Sequence, residues 1–238
     1  MKRIYTYLAV LLIGFGTQSC LDHNAAPSIS GQLAYYSFTK NANDGSGNNN
    51  VANVKGATLI ADRYGNAESA YFFNGASSIE LPQNVFNLPE FTYAAWVKPT
   101  FIPPSQQGGV MVILNSGGPG GDQSMVLANT TVYGWGMWSY TNPQGLNNYA
   151  YVGKLPTDLT PWYYVVATRS QDLLKIYVNG ELVASQSMTG KPYYGSGSVR
   201  TFIGQRNDGT LGFNGSIDEV RIYNRVLTKE EIMQLYRL

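Results

Sequence analysis

From about residue 32 onward, short apolar runs alternate with clusters of Gly, Asn, Pro and Ser. Runs rich in Tyr, Val, Ile, Phe and Trp occupy 33–38, 69–73, 78–81, 91–98, 110–114 and 125–128. They continue at 132–140, 162–168, 173–178, 182–185, 200–204 and 217–223. β-branched and aromatic side chains suit a pleated, half-buried surface. Many short runs with turn residues between them predict a sandwich or jelly roll. Helical periodicity is nearly absent before the last ten residues. The predicted class is therefore all-β, a two-sheet antiparallel jelly-roll sandwich with a short C-terminal helix.

Two local patterns sharpen this. Asn179-Gly180 separates 173–178 from 181–185. Such a pair favours a type I′ hairpin turn, which needs positive φ at both central residues. The predicted register sets Val178 opposite Glu181, Tyr177 opposite Leu182 and Ile176 opposite Val183. At the chain end, Thr228 and Glu231 have capping-box spacing, with Leu227 and Ile232 placed as a hydrophobic staple. Ile232, Leu235 and Tyr236 then share one stripe of a short helix, expected to plug the sandwich.

The N-terminus has a different pattern. Lys2 and Arg3 precede an apolar stretch over 8–15, shorter than the roughly 20 residues a spanning helix needs. A basic head, a short apolar middle and small residues before a cut site describe a secretory signal peptide. Thr17-Gln18-Ser19-Cys20 resembles the lipobox of bacterial lipoproteins, with Thr17 where an aliphatic residue is common. Looser lipoboxes of this kind belong to Bacteroidetes-type bacteria. The expected division is a signal peptide over 1–19, a tether over 20–31 broken by Pro27, and one domain over 32–238. Lipidation at Cys20 would anchor the protein in the cell envelope, most simply the outer membrane. The alternative is an ordinary secreted protein with Cys20 as an idle thiol.

Composition narrows the chemistry. Cys20 is the only cysteine, which leaves no intrachain disulfide and no cysteine-based zinc site. Once Lys2 and Arg3 are removed, 14 basic residues face 15 acidic ones. That balance gives no attraction to nucleic acid or to an anionic membrane surface, so contact with a membrane is expected through the lipid alone. The single histidine, His23, lies in the tether, which disfavours a Ser-His-Asp system and zinc catalysis.

An ordered set of motifs identifies a family. Leu33-Ala34-Tyr35-Tyr36-Ser37-Phe38 opens it, followed by Asn43-Asp44-Gly45-Ser46-Gly47-Asn48 and Ser69-Ala70-Tyr71-Phe72-Phe73-Asn74-Gly75. Phe91-Thr92-Tyr93-Ala94-Ala95-Trp96-Val97-Lys98-Pro99, Trp162-Tyr163-Tyr164-Val165-Val166 and Ile176-Tyr177-Val178-Asn179-Gly180-Glu181-Leu182 continue it. Gly215-Ser216-Ile217-Asp218-Glu219-Val220-Arg221-Ile222-Tyr223-Asn224-Arg225-Val226-Leu227 closes it. In this order the chain resembles the laminin-G-like, or concanavalin A-like lectin/glucanase, domains of bacterial surface proteins over nearly all of 32–238. The resemblance implies two packed antiparallel sheets, one concave, with binding on the concave face or at a sheet edge. Its members include sugar binders, adhesion modules and domains attached to enzymes, so it leaves the ligand open.

The resemblance also implies a place for one structural Ca2+. Related jelly rolls often hold calcium with an aspartate at the position of Asp218, together with ligands from an early loop, here Asp44 and Asn48. Strict alternation puts Asp218 on the face of Val220 and Ile222, where an ionised carboxylate is costly unless satisfied. Asn43 to Asn48 is rich in oxygen donors and glycine, as a calcium loop requires. The alternative is that Asp218 caps backbone amides and the loop is a plain turn.

For a ligand, Tyr133 to Tyr140 is the strongest candidate. Tyr133, Trp135 and Met137 alternate onto one face and Trp138 and Tyr140 onto the other, beside Gly134 and Gly136. Flat aromatic faces suit sugar rings, and polar loops over 115–123 and 141–149 could supply hydrogen bonds. The candidate ligand-binding residues are Trp135, Trp138, Tyr140, Asn142, Asn148 and Tyr149, although one of Trp135 and Trp138 is expected in the core, with Trp96 and Trp162. Tyr193 and Tyr194 are a weaker version of the same pattern. No E-x-D-x-x-E string of the related glucanases occurs, and Glu68, Glu80 and Glu90 stand apart. Glycosidases need two carboxyl groups roughly 5–9.5 Å apart. The expected function is therefore a non-catalytic carbohydrate-binding or adhesion lipoprotein of the envelope. The rivals are a protein-interaction module of an envelope or host assembly and a divergent glycoside hydrolase.

Overall fold

A computed structural model describes residues 29–105, 109–129, 133–142, 147–151 and 155–238. In chain order the strands are β1 (Gln32–Tyr36), β2 (Asn53–Lys55), β3 (Thr58–Ile60), β4 (Ala70–Asn74), β5 (Ser78–Leu81) and β6 (Phe91–Pro99). They continue as β7 (Val110–Gly118), β8 (Gly121–Asn129), β9 (Tyr133–Asn142), β10 (Asn147–Tyr151) and β11 (Tyr163–Arg169). β12 (Leu173–Val178), β13 (Glu181–Ser187), β14 (Lys191–Pro192), β15 (Arg200–Ile203) and β16 (Asn214–Tyr223) precede helix α1 (Lys229–Tyr236). The all-β class with one closing helix is as expected.

Sheet A has the order β13-β12-β11-β6-β16-β4-β3, and sheet B the order β10-β9-β8-β7-β15-β5-β2. The strand pairs are antiparallel, with β14 added to β9 and β1 to β16. Long crossovers, such as β15 between β5 and β7, make this a jelly roll rather than a meander. Between the sheets lies one apolar core that includes Tyr36, Phe73, Ile79, Phe91, Ile113 and Ile222. Each such fully buried side chain contributes about 1.5–3 kcal/mol by leaving water.

The β12–β13 hairpin turns at Asn179 (φ 52°) and Gly180 (φ 82°), the geometry a type I′ turn requires. Val178 pairs with Glu181 and Tyr177 with Leu182, as predicted, but Ile176 pairs with Ala184 because a bulge intervenes. Leu182 and Val183, on the edge strand of the sheet, are exposed. The capping box of α1 is complete, with Glu231 N–H donating to Thr228 Oγ1 and Thr228 N–H donating to the Glu231 carboxylate. Leu227 and Ile232 are both buried on the outer face of sheet A, where Tyr236 stacks on Trp96 at 5.6 Å. The helix is the plug the pattern predicts.

Two expectations change. The stretch 115–123 is not a loop, since β7 runs to Gly118 and β8 starts at Gly121 around a two-residue turn at Pro119-Gly120. The stretch 141–149 likewise contains the end of β9 and the start of β10. Polar residues such as Asn115, Ser116, Gln123 and Ser124 interrupt the apolar runs there, which a search for apolar runs reads as loop.

Candidate functional site

On sheet B, register aligns Phe202 with Asn115, Asn115 with Ser124, and Ser124 with Trp138. This row crosses the outer face, opposite the core. The predicted alternation in β9 holds: Trp135 and Met137 enter the core, while Trp138 leans on an outer patch of Val110, Val112, Val126 and Ala128. Trp135 is only 2% exposed and packs on Tyr163 with ring centroids 5.4 Å apart. Its proposed ligand contact is therefore corrected, because its strand position points it between the sheets. Trp138 and Tyr140 remain partly exposed on the outer face.

The loop over 204–213 crosses this face and is pinned to it. Val112 N–H donates to the Leu211 carbonyl, and Leu211 packs on the outer apolar patch. A polar chain then runs from loop to sheet and back. Asn207 N–H donates to Asn115 Oδ1 (2.9 Å), Asn115 Nδ2 to Ser124 Oγ (2.8 Å), and Ser124 Oγ to Asp122 Oδ1 (3.0 Å). Arg206 Nε closes it on Asp122 Oδ2 at 2.8 Å. Asp122 is buried and Arg206 partly exposed. Burial works against the Arg206 charge, but Asp122 and Asp208 hold its pKa above the ordinary value, with Tyr140 also in electrostatic reach. Charge-assisted bonds of this kind fix geometry well. Beside this chain opens a cleft of about 340 Å³, floored by the Gly117–Gly120 turn and walled by Ser198, Arg200, Arg206 and Asp208.

The sheet therefore assembles an aromatic pair, Trp138 and Tyr140, with partly exposed Arg206 and a neighbouring cleft, while Asn115, Ser124 and Asp122 are buried and hold Arg206 and its loop in place. Preformed apolar walls with a few oriented polar groups are what a small polar ligand uses. The sequence reading found the aromatic pair and missed Asp122 and Arg206. The signal for Asp122 was present, since Asn115, Ser124 and Trp138 all occupy outward positions of alternating strands. Arg206 reaches the site through a loop path that alternation does not encode. β10 sets Tyr149 opposite Trp138 and Asn148 opposite Ser139, and β14 pairs Lys191 with Asn142. The side chains of Asn142, Asn148 and Tyr149 lie outside the described residues, as does Cys20. Tyr194 is buried, exchanging hydrogen bonds with the Leu88 backbone, so it is a packing residue.

The nominated calcium ligands have other partners. Asp44 accepts from the backbone N–H groups of Tyr35, Ser46 and Asn50 and from Ser46 Oγ. Burial pushes its carboxyl up, but the three backbone donors and Ser46 hold it below the ordinary value. Asn48 Nδ2 donates to the Gln32 and Leu33 carbonyls. The loop thus ties itself to β1 as a turn. Asp218 is not on the face of Val220 and Ile222. A bulge at Glu219 (φ 48°) breaks the alternation and turns Asp218 outward with Arg221, opposite Trp96. There Asp218 Oδ2 accepts from Arg63 Nη1 (3.2 Å) and Oδ1 from Glu219 N–H (2.7 Å). Arg63 also binds Glu219 (3.0 Å), as does Arg221 (2.6 Å). The Arg63 guanidinium lies 4.4 Å from the Tyr64 ring and 4.5 Å from that of Trp96. Burial and the neighbouring Glu219 push the Asp218 carboxyl up to about 7, against the pull of Arg63. With a guanidinium on one oxygen and an amide on the other, Asp218 does not fit a calcium ligand.

Comparison with known proteins agrees with this architecture. The family described as the concanavalin A-like lectin/glucanases superfamily (Laminin_G_3) matches residues 73–233. The chain belongs to that superfamily. Among solved structures, domain 4 of AbnA, a GH43 extracellular arabinanase from Geobacillus stearothermophilus in complex with arabinotriose, superposes with a TM-score of 0.68. It is 22% identical, and the match covers 86% of this chain and 98% of that one. The binding domain of Paraclostridial Mosquitocidal Protein 1 reaches 0.66 at 18% identity, covering 87% of this chain. The botulinum neurotoxin serotype D binding domain reaches 0.61 at 16% identity, also covering 87%. The match spans about half of each toxin binding domain, 52% and 50% respectively. No curated protein matches the chain.

Proposed function

We propose that this protein is a non-catalytic carbohydrate-binding or adhesion lipoprotein of the cell envelope, held by a lipid on Cys20 in the outer membrane. The sugar platform is the outer face of sheet B. The observation that carries this reading is the placement of partly exposed Trp138 and Tyr140 on the face that bears the Asn115–Ser124–Asp122–Arg206 chain. Aromatic faces bind the C–H surface of a sugar, while fixed donors and acceptors select its hydroxyls. A fold shared with an arabinanase domain solved with arabinotriose supports the choice of ligand class. Both oxygens of Asp122 are occupied by Arg206 and Ser124, so its role is to hold Arg206 and the loop over 204–213 against the sheet.

A glycan array followed by calorimetry tests this. The expected result is binding to at least one glycan class that weakens roughly tenfold or more, ~1.4 kcal/mol, in Trp138→Ala while the fold is kept. Silence across plant, host and microbial glycans would favour a protein partner instead. Product release from a polysaccharide, abolished by one carboxylate substitution, would make the protein a hydrolase. For the anchor, labelling of cells with a palmitate analogue should mark the wild type and not Cys20→Ala.

A further inference from the structure

The outer face of sheet B has a second row beside the one that carries Trp138. Arg200 pairs with Gly117 and Gly117 with Asp122, while Tyr140 stands next to Asp122, one position beyond the Gln123–Ser139 pair. These four residues lie two positions along their strands from Phe202, Asn115, Ser124 and Trp138, and therefore on the same face. The loop over 204–213 covers Asn115 and Ser124, which are fully buried, and reaches the second row at Arg206. Arg206 binds Asp122, lines the cleft of about 340 Å³ and has Tyr140 in electrostatic reach. The cleft and the aromatic pair thus adjoin one guanidinium.

Glycine keeps the floor of this row at backbone level. A Cβ on Gly117 would lie 2.4 Å from the Asp122 Cβ, and one on Gly118 2.8 Å from the Ser196 carbonyl oxygen, so neither position admits a side chain. From Tyr140 to Arg200 the row crosses β9, β8, β7 and β15, three strand spacings or about 14 Å. Its charges are matched. Arg200 donates from Nε (3.1 Å) and Nη2 (2.8 Å) to Glu80, which also binds Lys55. Arg206 binds Asp122 and, at 3.4 Å, Asp208. Lys55, Arg200 and Arg206 are thus balanced by Glu80, Asp122 and Asp208. Among the described residues no hydrogen bond uses Arg200 Nη1 or Arg206 Nη2, so both guanidinium groups keep donors with no net charge behind them.

We propose that this row is a trough for an uncharged oligosaccharide, which lies across the strands from Tyr140 to Arg200. The proposal rests on the outer-face sugar platform and gives its ligand a length and a charge. One sugar residue rests at Trp138 and Tyr140, the next crosses the Arg206 guanidinium, and the last enters the cleft over the Gly117–Gly120 turn, between Ser198 and Asp208. A span of about 14 Å exceeds one pyranose ring and suits roughly three linked ones. The spare guanidinium donors and the Asp208 carboxylate bond hydroxyl groups. A charged sugar gains no net attraction, because each cation of the row already has its carboxylate.

Calorimetry on the purified protein tests length and charge together. Arabino-, xylo-, gluco- and manno-oligosaccharides, from monomer to pentamer, are compared with trigalacturonate at low and high salt. At least one neutral series should gain roughly tenfold or more in affinity from monomer to trimer, change little beyond it, and be indifferent to salt. Arg200→Gln leaves Glu80 paired with Lys55, and Ser198→Trp fills the cleft from an exposed position. Each should erase most of the gain from monomer to trimer without moving the melting temperature, whereas Trp138→Ala should lower affinity at every length. A monomer that binds as tightly as the trimer, a trimer indifferent to Ser198→Trp, or trigalacturonate preferred over every neutral trimer overturns the trough and leaves the outer-face platform standing. Binding of no glycan at all overturns the platform and the trough with it.

Discussion

On the outer face of sheet A, Asp218 and Arg221 lie buried with Trp96, and Arg63 and Glu219 are largely covered, near helix α1. On the outer face of sheet B, Trp138, Tyr140 and Arg206 remain partly open beside a cleft. Both faces carry arginines, acids and aromatic rings. They differ in what covers them. Sheet A spends its charges inside the fold, where each group has a protein partner. Sheet B fixes only one loop with its charges and leaves rings at the surface. Charged and aromatic composition therefore does not mark a binding face here; the cover does.

The largest effect should come from opening the sealed side. Arg63→Ala leaves Asp218 and Glu219 short of a cation in a buried site, and should cost about 3–5 kcal/mol in denaturant unfolding. A loss of under ~1 kcal/mol would show that this face is wetter than the geometry implies. The two tryptophans of β9 give the next contrast. Trp135→Ala empties the core and should cost about 3–5 kcal/mol, whereas Trp138→Ala should cost far less and act on glycan binding instead. Equal destabilisation by both would make the outer face part of the core.

The buried acid also gives a pH signature. The folded value of Asp218, about 7, lies above its ordinary 3.8, so between those values the folded chain holds the extra proton. Stability contributed by this group is present at low pH and is lost as pH rises through that window. Glu219 acts oppositely. Burial raises its pKa, but Arg221 and Arg63 bring it below the ordinary 4.5, so its contribution is lost only as pH falls through its lowered value. Unfolding measured from pH 4 to 8 should therefore show a decline that disappears in Asp218→Asn. A smaller effect, about 1 kcal/mol, is expected for Thr228→Ala, which removes one half of the capping box. The smallest is expected from chelation. EDTA should leave the melting temperature unchanged, since the oxygens of Asp44 and Asp218 already accept protein hydrogen bonds. A clear drop would restore calcium to the Asp44 loop.

Much of the fold was legible because it is local. The Asn179-Gly180 turn, the Thr228–Glu231 cap and the alternation of Trp135 against Trp138 each depend on neighbours within a few residues. β2, β3 and β10 were missed, being short or polar and held by their pairing partners rather than by their own pattern. At the candidate site, alternation was enough to bring out Trp138 and Tyr140. Arg206 was not recognisable, because it meets Asp122 from 84 positions away.

Asp218 marks the boundary between the two kinds of information. The sequence by itself determined that an acid stands in a central apolar strand, that the strand belongs to a sandwich, and that a helix closes the chain. Only the tertiary structure decided which way that acid points. β1 and β4 both pair with β16, one beside Val220 to Tyr223 and the other beside Asn214 to Ile217. The strand bulges at Glu219 between them. One extra residue reverses the side on which every later side chain emerges. Asp218 thus faces Arg63, and that partner comes from a loop 155 positions away.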